Sequence, residues 1–229
     1  MKTSIIVFPG TNREHDMAAA VESASGTKPR MIWHKDTDLG NPDLIILPGG
    51  FSYGDYLRCG AVAAHSPVMK EVIAAANKGT RILGVCNGFQ MLIETRILPG
   101  ALLKNKTLKF ICKDMHLRTE NGDTEFTSKL GKNSIIHVPV AHGDGNYFAN
   151  DDMITELETN EQIAFRYCDE NGEITDSANA NGSSSNIAGI FNKRKTILGM
   201  MPHPENATQN WQANKSGLPL FESIMEALA

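Results

Sequence analysis

Three runs of the chain share one pattern, an apolar stretch without alternation that is closed by turn residues: SIIVFPG (4–10), DLIILPGG (43–50) and RILGVCNG (81–88). A strand that is apolar on both sides of its pleat has to be covered on both faces, and a parallel sheet between helix layers provides that cover. The segments between these runs have helical spacing. Met17, Ala20, Val21 and Ala24 recur on one face, with Asn12 as the candidate cap and Gly26 as the stop. Ser66-Pro67 opens a second helix whose apolar face is Val68, Met69, Val72, Ile73 and Ala76, ending at Asn77-Lys78-Gly79. This alternation predicts an α/β fold built on a parallel sheet.

From about residue 107 the pattern changes to shorter, more alternating runs: LKFIC, SIIHVPVAH, IAFRYC, NIAGIF and TILGMM. Turn clusters such as DENGE and NANGSSSN separate them, which predicts antiparallel strands added to the same sheet. A closing helix is expected from about Gly217 to Leu228, with Leu220, Phe221, Ile224, Met225 and Leu228 on one face. There is no linker or internal repeat, and 229 residues suffice for one α/β core, so residues 1–229 are expected to form a single domain.

Several function classes are disfavoured by composition. The net charge is -4 and the Lys and Arg residues are scattered, so no nucleic-acid partner is expected. The apolar run in MKTSIIVFPGTN is too short for a signal-peptide core, and no stretch reaches the roughly 18 apolar residues of a membrane span. With a mean hydropathy of -0.25, this predicts a cytoplasmic protein without a membrane partner. Cys59, Cys86, Cys112 and Cys168 form no C-x-x-C pair and no metal-like spacing with the histidines, so no metal site is expected.

The joint between Val85 and Phe89 carries the chemistry. A buried strand turning sharply into a helix presents the residue at the turn beyond the carboxyl end of the sheet, where open α/β folds bind ligands. Cys86 occupies that turn, in a position expected to be exposed but sheltered, and the positive end of the following helix favours a thiolate there. The run Gly84-Val85-Cys86-Asn87-Gly88 repeats the strand-nucleophile-helix layout of G-x-S-x-G hydrolases, with glycines that leave room for a tight turn. The plainer reading of any cysteine is a small buried apolar residue. It is kept for Cys59, Cys112 and Cys168, which lack this setting.

A thiol nucleophile needs a base, and the base needs an orienting group. His203 and Glu205 follow the apolar run 196–201 and are expected at another strand's end. Pro204 biases His203 to extended backbone, where side chains at i and i+2 point the same way. The plainer alternative is a stiff surface turn with a solvated Glu. The third element is LPGGFSYGD, where Gly49 and Gly50 allow close backbone approach and a free N-H can face the oxygen of a tetrahedral intermediate. The N-H of Asn87 is the other candidate donor. This loop matches neither common phosphate-binding pattern.

Together these stretches resemble the class I glutamine amidotransferases, whose signature G-x-C-x-G-x-Q with a distant H-x-E is matched by Gly84, Cys86, Gly88 and Gln90, then His203 and Glu205. More narrowly, LPGGFSYGDYLRCGA, NGFQMLIE, LPGAL, VPVAHGDGNY, NANGSSSNIAGI and LGMMPHPE resemble the subfamily of glutaminase subunits of phosphoribosylformylglycinamidine synthases, over nearly the whole chain. Two departures lie outside the triad: Arg13 stands where such proteins often have Cys in PGSNC, and Asn206 where they often have Arg in HPER.

The resemblance implies a flavodoxin-like three-layer sandwich, its mostly parallel central sheet extended by antiparallel strands. It implies glutamine as substrate, with Cys86, His203 and Glu205 catalytic and the Gly50 and Asn87 amides as the oxyanion hole. Gly49, Phe51, Gln90, His142 and Gly143 are expected around the bound glutamine. No cofactor is expected in this chain, which has no Walker-type ATP site. The ATP and Mg of the amidation are expected in a partner synthetase subunit, joined by a small bridging subunit. Two rivals remain: a stand-alone cysteine hydrolase of related fold, in which a histidine commonly follows the cysteine where Asn87 stands here, and a non-catalytic regulatory subunit.

Overall fold

The computed structural model describes residues 1–55 and 59–229. Its parallel half begins with β1 (Thr3–Val7), α1 (Glu14–Ser25), β2 (Arg30–Trp33) and β3 (Leu44–Leu47). It continues through α2 (Cys59–Ala64), α3 (Pro67–Lys78), β4 (Arg81–Val85) and α4 (Asn87–Glu94). β5 (Ala101–Leu103), β6 (Ile111–Thr119), β7 (Ile135–His142), β8 (Asn146–Phe148), α5 (Asp151–Thr159) and β9 (Ile163–Cys168) follow. The chain closes with β10 (Ile187–Phe191), β11 (Ile197–Met200) and α6 (Leu218–Ala227). Residues 56–58 of the stretch GGFSYGDYLRCGA and the side chain of Cys59 lie outside the described residues.

Among the described residues nine strands form one sheet in the order β2-β1-β3-β4-β11-β10-β9-β6-β7, and β5 pairs with β8 in a separate ribbon. The first five strands in that order are parallel and the remaining pairings are antiparallel. The three unalternating runs are β1, β3 and β4, and all four residues of β3 are buried, as double-sided cover requires. Helices supply that cover in a three-layer α/β architecture, with α1 packed on α6 and α2 on α4. Among the described residues no helix is long and apolar enough to cross a membrane.

Several local expectations require correction. The cap of α1 is Arg13, without a side-chain cap bond, in place of Asn12; Gly26 does end the helix in left-handed geometry at φ 68°. TILGMM forms β11, which is antiparallel to β10 but parallel to β4, so it completes the parallel core rather than extending it. A run of four apolar residues does not reveal the direction of its neighbours. LKFIC is strand only from Ile111, because Leu108 turns at φ 58°. Cys112 is exposed, contrary to its reading as a buried apolar residue: β6 pairs with β9 only over 116–119, which leaves the first half of β6 uncovered on that side. Cys168, inside the paired region, is buried.

Glycine is required where α4 turns back over the sheet. A Cβ on Gly88 would lie 1.9 Å from the carbonyl oxygen of Leu47, and one on Gly84 would lie 2.9 Å from that of Gly88. Gly199, paired with Gly84 on β11, leaves space that Phe89 fills, its Cδ2 lying 2.2 Å from where a Cβ would be. The helix therefore sits directly on β3, β4 and β11. Gly88→Ala is expected to cost about 3 kcal/mol by forcing backbone apart. Gly26→Ala, with no atom within 4 Å of the added carbon, is expected to cost about 1 kcal/mol for its backbone angle alone. Urea denaturation of the two variants measures the difference, and equal midpoints would refute the steric account.

Candidate active site

Three neighbouring parallel strands end side by side. β4 lies between β3 and β11, with Gly84 opposite both Leu47 and Gly199. Beyond those ends come Gly49 and Gly50 from β3, Cys86 from β4 and His203 from β11. The Cys86 amide donates to Met200 O at 2.8 Å, which carries the strand pairing up to the nucleophile.

Cys86 has φ 52° and ψ -107°, a conformation costly for a residue with a Cβ, and it caps α4. Its side chain is fixed beside His203: a Cβ on Gly49 would meet His203 Cε1 at 2.6 Å and Cys86 Cβ at 3.1 Å. Only glycine at 49 lets imidazole and thiol share that space. The thiol donates to Ala141 O at 3.7 Å. Cys86 is only 2% exposed, which corrects the expectation of an exposed position. Segments that follow β3 and β11, and the end of β7, converge on the turn and cover it.

His203 donates from Nδ1 to Glu205 Oε1 at 2.7 Å, and its Nε2 is buried without a hydrogen-bond partner. The two side chains meet through a 3-10 turn at Pro204–Asn206, not through the extended run expected from the sequence. Proline at the first position of a helical turn suits this geometry. Thr208 Oγ1 and Gln212 Nε2 both donate to Glu205 O, at 3.2 and 3.1 Å, and hold the turn. Burial disfavours charge on His203, but the negative charges of Glu205 and of a Cys86 thiolate outweigh it and raise its pKa to about 10. The closeness of the Cys86 sulfur and the hydrogen bond to Glu205 act in the same direction.

The oxyanion candidates are also together. The amides of Phe51, Ser52 and Tyr53 donate to Gly10 O, Asn87 Oδ1 and Pro9 O respectively. The Gly50 amide takes no acceptor among the described residues. Asn87 begins α4, where first-turn amides have no partner inside the helix. Gly50 has φ 142°, and a Cβ there would lie 2.6 Å from the Asn12 amide. Asn12 thus lines the back of the loop.

The remaining expected residues surround this centre. Asn87 Nδ2 donates to Gln90 Oε1 at 3.0 Å, and Gln90 Nε2 donates to Asp144 O at 2.9 Å, so one chain of bonds joins the 50–53 loop, α4 and the loop after β7. His142 is buried at the end of β7, and Gly143 follows with Phe110 3.9 Å from its Cβ position. Phe51 and Phe110 are 45% and 50% exposed and stack with centroids 6.0 Å apart. Of the two departures, Arg13 pairs with Asp16 at 2.9 Å in the first turn of α1, and Asn206 donates its amide to His203 O at 3.2 Å.

Sequence reasoning missed the side-chain role of Asn87 and two buried asparagines, Asn105 and Asn181. Asn181 Nδ2 donates to Gly145 O at 2.7 Å and anchors the loop after β7. An asparagine in a turn-rich segment carries no periodic signal, so only the density of NANGSSSN hinted at a structured loop. Among the described residues no group of three or more His, Cys, Asp or Glu could hold a metal ion.

Residues 1–222 match the CobB/CobQ-like glutamine amidotransferase domain family. The chain is 51% identical over 230 residues to phosphoribosylformylglycinamidine synthase subunit PurQ of Rhodopseudomonas palustris, covering 100% of this chain and 99% of that one. It is 52% identical over 229 residues to the PurQ subunit of Nitrobacter winogradskyi, covering 100% and 98%. Among solved structures, a chain of PurLQS from Thermotoga maritima superposes with a TM-score of 0.87 at 41% identity, covering 100% of this chain and 99% of that chain. The chain therefore belongs to the CobB/CobQ-like glutamine amidotransferase family, together with the PurQ subunits of phosphoribosylformylglycinamidine synthase.

Proposed function

We propose that this chain is the glutaminase subunit of a cytoplasmic phosphoribosylformylglycinamidine synthase, hydrolysing glutamine at Cys86 and passing ammonia to a synthetase subunit. The observation that carries the reading is the juxtaposition of a strained, helix-capping cysteine with a buried histidine held by Glu205 at 2.7 Å. A stand-alone hydrolase and a regulatory subunit are less well supported, because relatives about half identical over the full length are PurQ subunits.

Cys86 Sγ attacks the side-chain carboxamide carbon of glutamine, and the oxygen becomes an anion between the Gly50 and Asn87 amides. His203 gives its Nε2 proton to the departing nitrogen, leaving a glutamyl thioester and ammonia. Neutral His203 then takes a proton from water as the hydroxide attacks, and glutamate leaves. Glu205 keeps the Nδ1 proton in place throughout, so Nε2 is the nitrogen that exchanges protons with the reactants. Gly49, Phe51, Gln90, His142 and Gly143 form the surroundings of the glutamine.

No cofactor is assigned to this chain; ATP and Mg belong to the synthetase, which converts formylglycinamide ribonucleotide to formylglycinamidine ribonucleotide. Ammonia is mostly protonated in neutral water, which favours direct transfer between subunits. The PurLQS assembly of Thermotoga maritima supports a synthetase partner and a small bridging subunit. The exposed Phe51 and Phe110 pair beside the site suits cover by such a partner.

Cys86→Ala in the reconstituted complex is expected to abolish glutamine-dependent product while product from added ammonium salt persists; survival of both would sink the assignment. Because Cys86 is 2% exposed, glutamate release by the isolated chain is expected to be slow and to rise when the synthetase is added. High turnover without a partner would contradict this. Glu205→Gln removes the charge that keeps His203 protonated toward pH 10, and with it the cation that stabilises the Cys86 thiolate. Alkylation of Cys86 by a glutamine-analogue electrophile should therefore require higher pH in the variant, with kcat down roughly 10²- to 10⁴-fold. An unshifted profile would remove Glu205 from this role.

A further inference from the structure

The peptide that carries the Gly50 amide joins two glycines and rotates readily, so its direction is set by whatever holds the residues around it. Toward the end of β1, the Phe51 and Tyr53 amides donate to Gly10 O at 3.1 Å and Pro9 O at 2.7 Å. The Ser52 amide donates to Asn87 Oδ1 at 2.9 Å, and the Ser52 hydroxyl lies 3.4 Å from Thr11 Oγ1. Tyr53, Gly54 and Asp55 then follow with φ of 56°, 77° and 56°. Two of these three carry a Cβ, and such a turn persists only where its surroundings hold it.

The side chain of Tyr53 adds a tie to other elements. Its hydroxyl lies 2.8 Å from Ser66 Oγ and 3.2 Å from His34 Nδ1, and those two atoms are 3.1 Å apart. Its ring stands edge-on to His34 at 89°, with centroids 6.0 Å apart, and tilts against buried Phe8 at 6.3 Å. Both partners of the hydroxyl are themselves buried and fixed. His34 follows β2, and its amide donates to Val7 O at 2.9 Å, which continues the pairing with β1. Ser66 immediately precedes α3, where a serine side chain ordinarily accepts from a first-turn amide. It makes no such bond. Its hydroxyl is turned to Tyr53 and His34 instead, so α3 gives up a capping contact to this triangle.

We propose that Tyr53 is a positioning residue for the oxyanion hole: its hydroxyl, held by Ser66 and His34, ties the loop after β3 to β2 and α3 and thereby fixes the direction of the Gly50 amide. This deepens the proposed glutaminase function and rests on it. A donor aimed at the tetrahedral oxygen helps only once negative charge has developed there. A loosened loop therefore lowers kcat and leaves glutamine binding as it was.

Tyr53→Phe keeps the ring and removes the tie, and it leaves both buried partners satisfied, because the Ser66 hydroxyl can still donate to His34 Nδ1 at 3.1 Å. In the complex with the synthetase this variant should lower kcat for glutamine roughly 10-fold, a part of the 10²- to 10³-fold cost of losing an oxyanion donor outright, with KM and ammonium-dependent synthesis unchanged. Ser66→Ala should lower kcat less, since the Tyr53 hydroxyl keeps His34 within 3.2 Å. Added to Tyr53→Phe, it should cost nothing further, because the bond it removes is already gone. An unchanged kcat in Tyr53→Phe, a loss carried wholly by KM, a larger loss in Ser66→Ala, or losses that add in the double variant would overturn the proposal. Amide NMR of the isolated chain reads the loop without any reaction: the Gly50 and Phe51 signals should shift or broaden in Tyr53→Phe, and an unchanged Gly50 signal would also overturn it. If the unmodified complex makes no product from glutamine, the glutaminase reading fails instead, and the Gly50 signal of the isolated chain separates the two failures.

Discussion

Backbone pairing of β4 with β3 on one side and β11 on the other is the constraint on which the site depends. Because all three strands run the same way, their carboxyl ends lie together, and the segments that follow them converge without a long excursion. The distance of more than a hundred residues between Cys86 and His203 disappears across one ladder of hydrogen bonds. Gly84, Gly88 and Gly199 serve the same end, since α4 can turn back onto these strands only where side chains are missing.

The geometry at Cys86 is held against its own preferences. Its positive-φ backbone costs about 1 to 3 kcal/mol, and it is almost completely buried in a polar centre. Acting in its favour are the amino end of α4, the strand bond from the Cys86 amide to Met200 and the charge of His203, itself maintained by Glu205. Glu205 is fully buried and retains one oxygen without a partner, so this carboxylate depends on the imidazolium beside it. The polar centre is thus cooperative, and loss of one member leaves another charge buried and unmatched.

Around that centre, loops are fastened by side-chain amides rather than by apolar packing. Asn105 and Asn181 each join two or more backbone groups, and Asn87 and Gln90, bonded to each other, together link the 50–53 loop to the loop after β7. An amide can satisfy two loops at once without introducing a charge, which suits a buried site already crowded with ionisable groups.

The strands β1, β3 and β4 were legible because unbroken apolar runs ending in glycine admit few other folds, and IAFRYC matches β9 residue for residue. The short edge strand β2, helix α2 and helix α5 gave no comparable signal, having few apolar residues or too little length. Residue identity alone determined that Cys86 sits at a strand-to-helix joint, that His203 is spaced two residues from Glu205, and that glycines flank the turn, since these are local properties of the chain. Tertiary structure alone decided that β11 runs parallel beside β4 and that the thiol is shut away from solvent. Strand order and burial depend on contacts between segments far apart in the chain, and no local pattern encodes them.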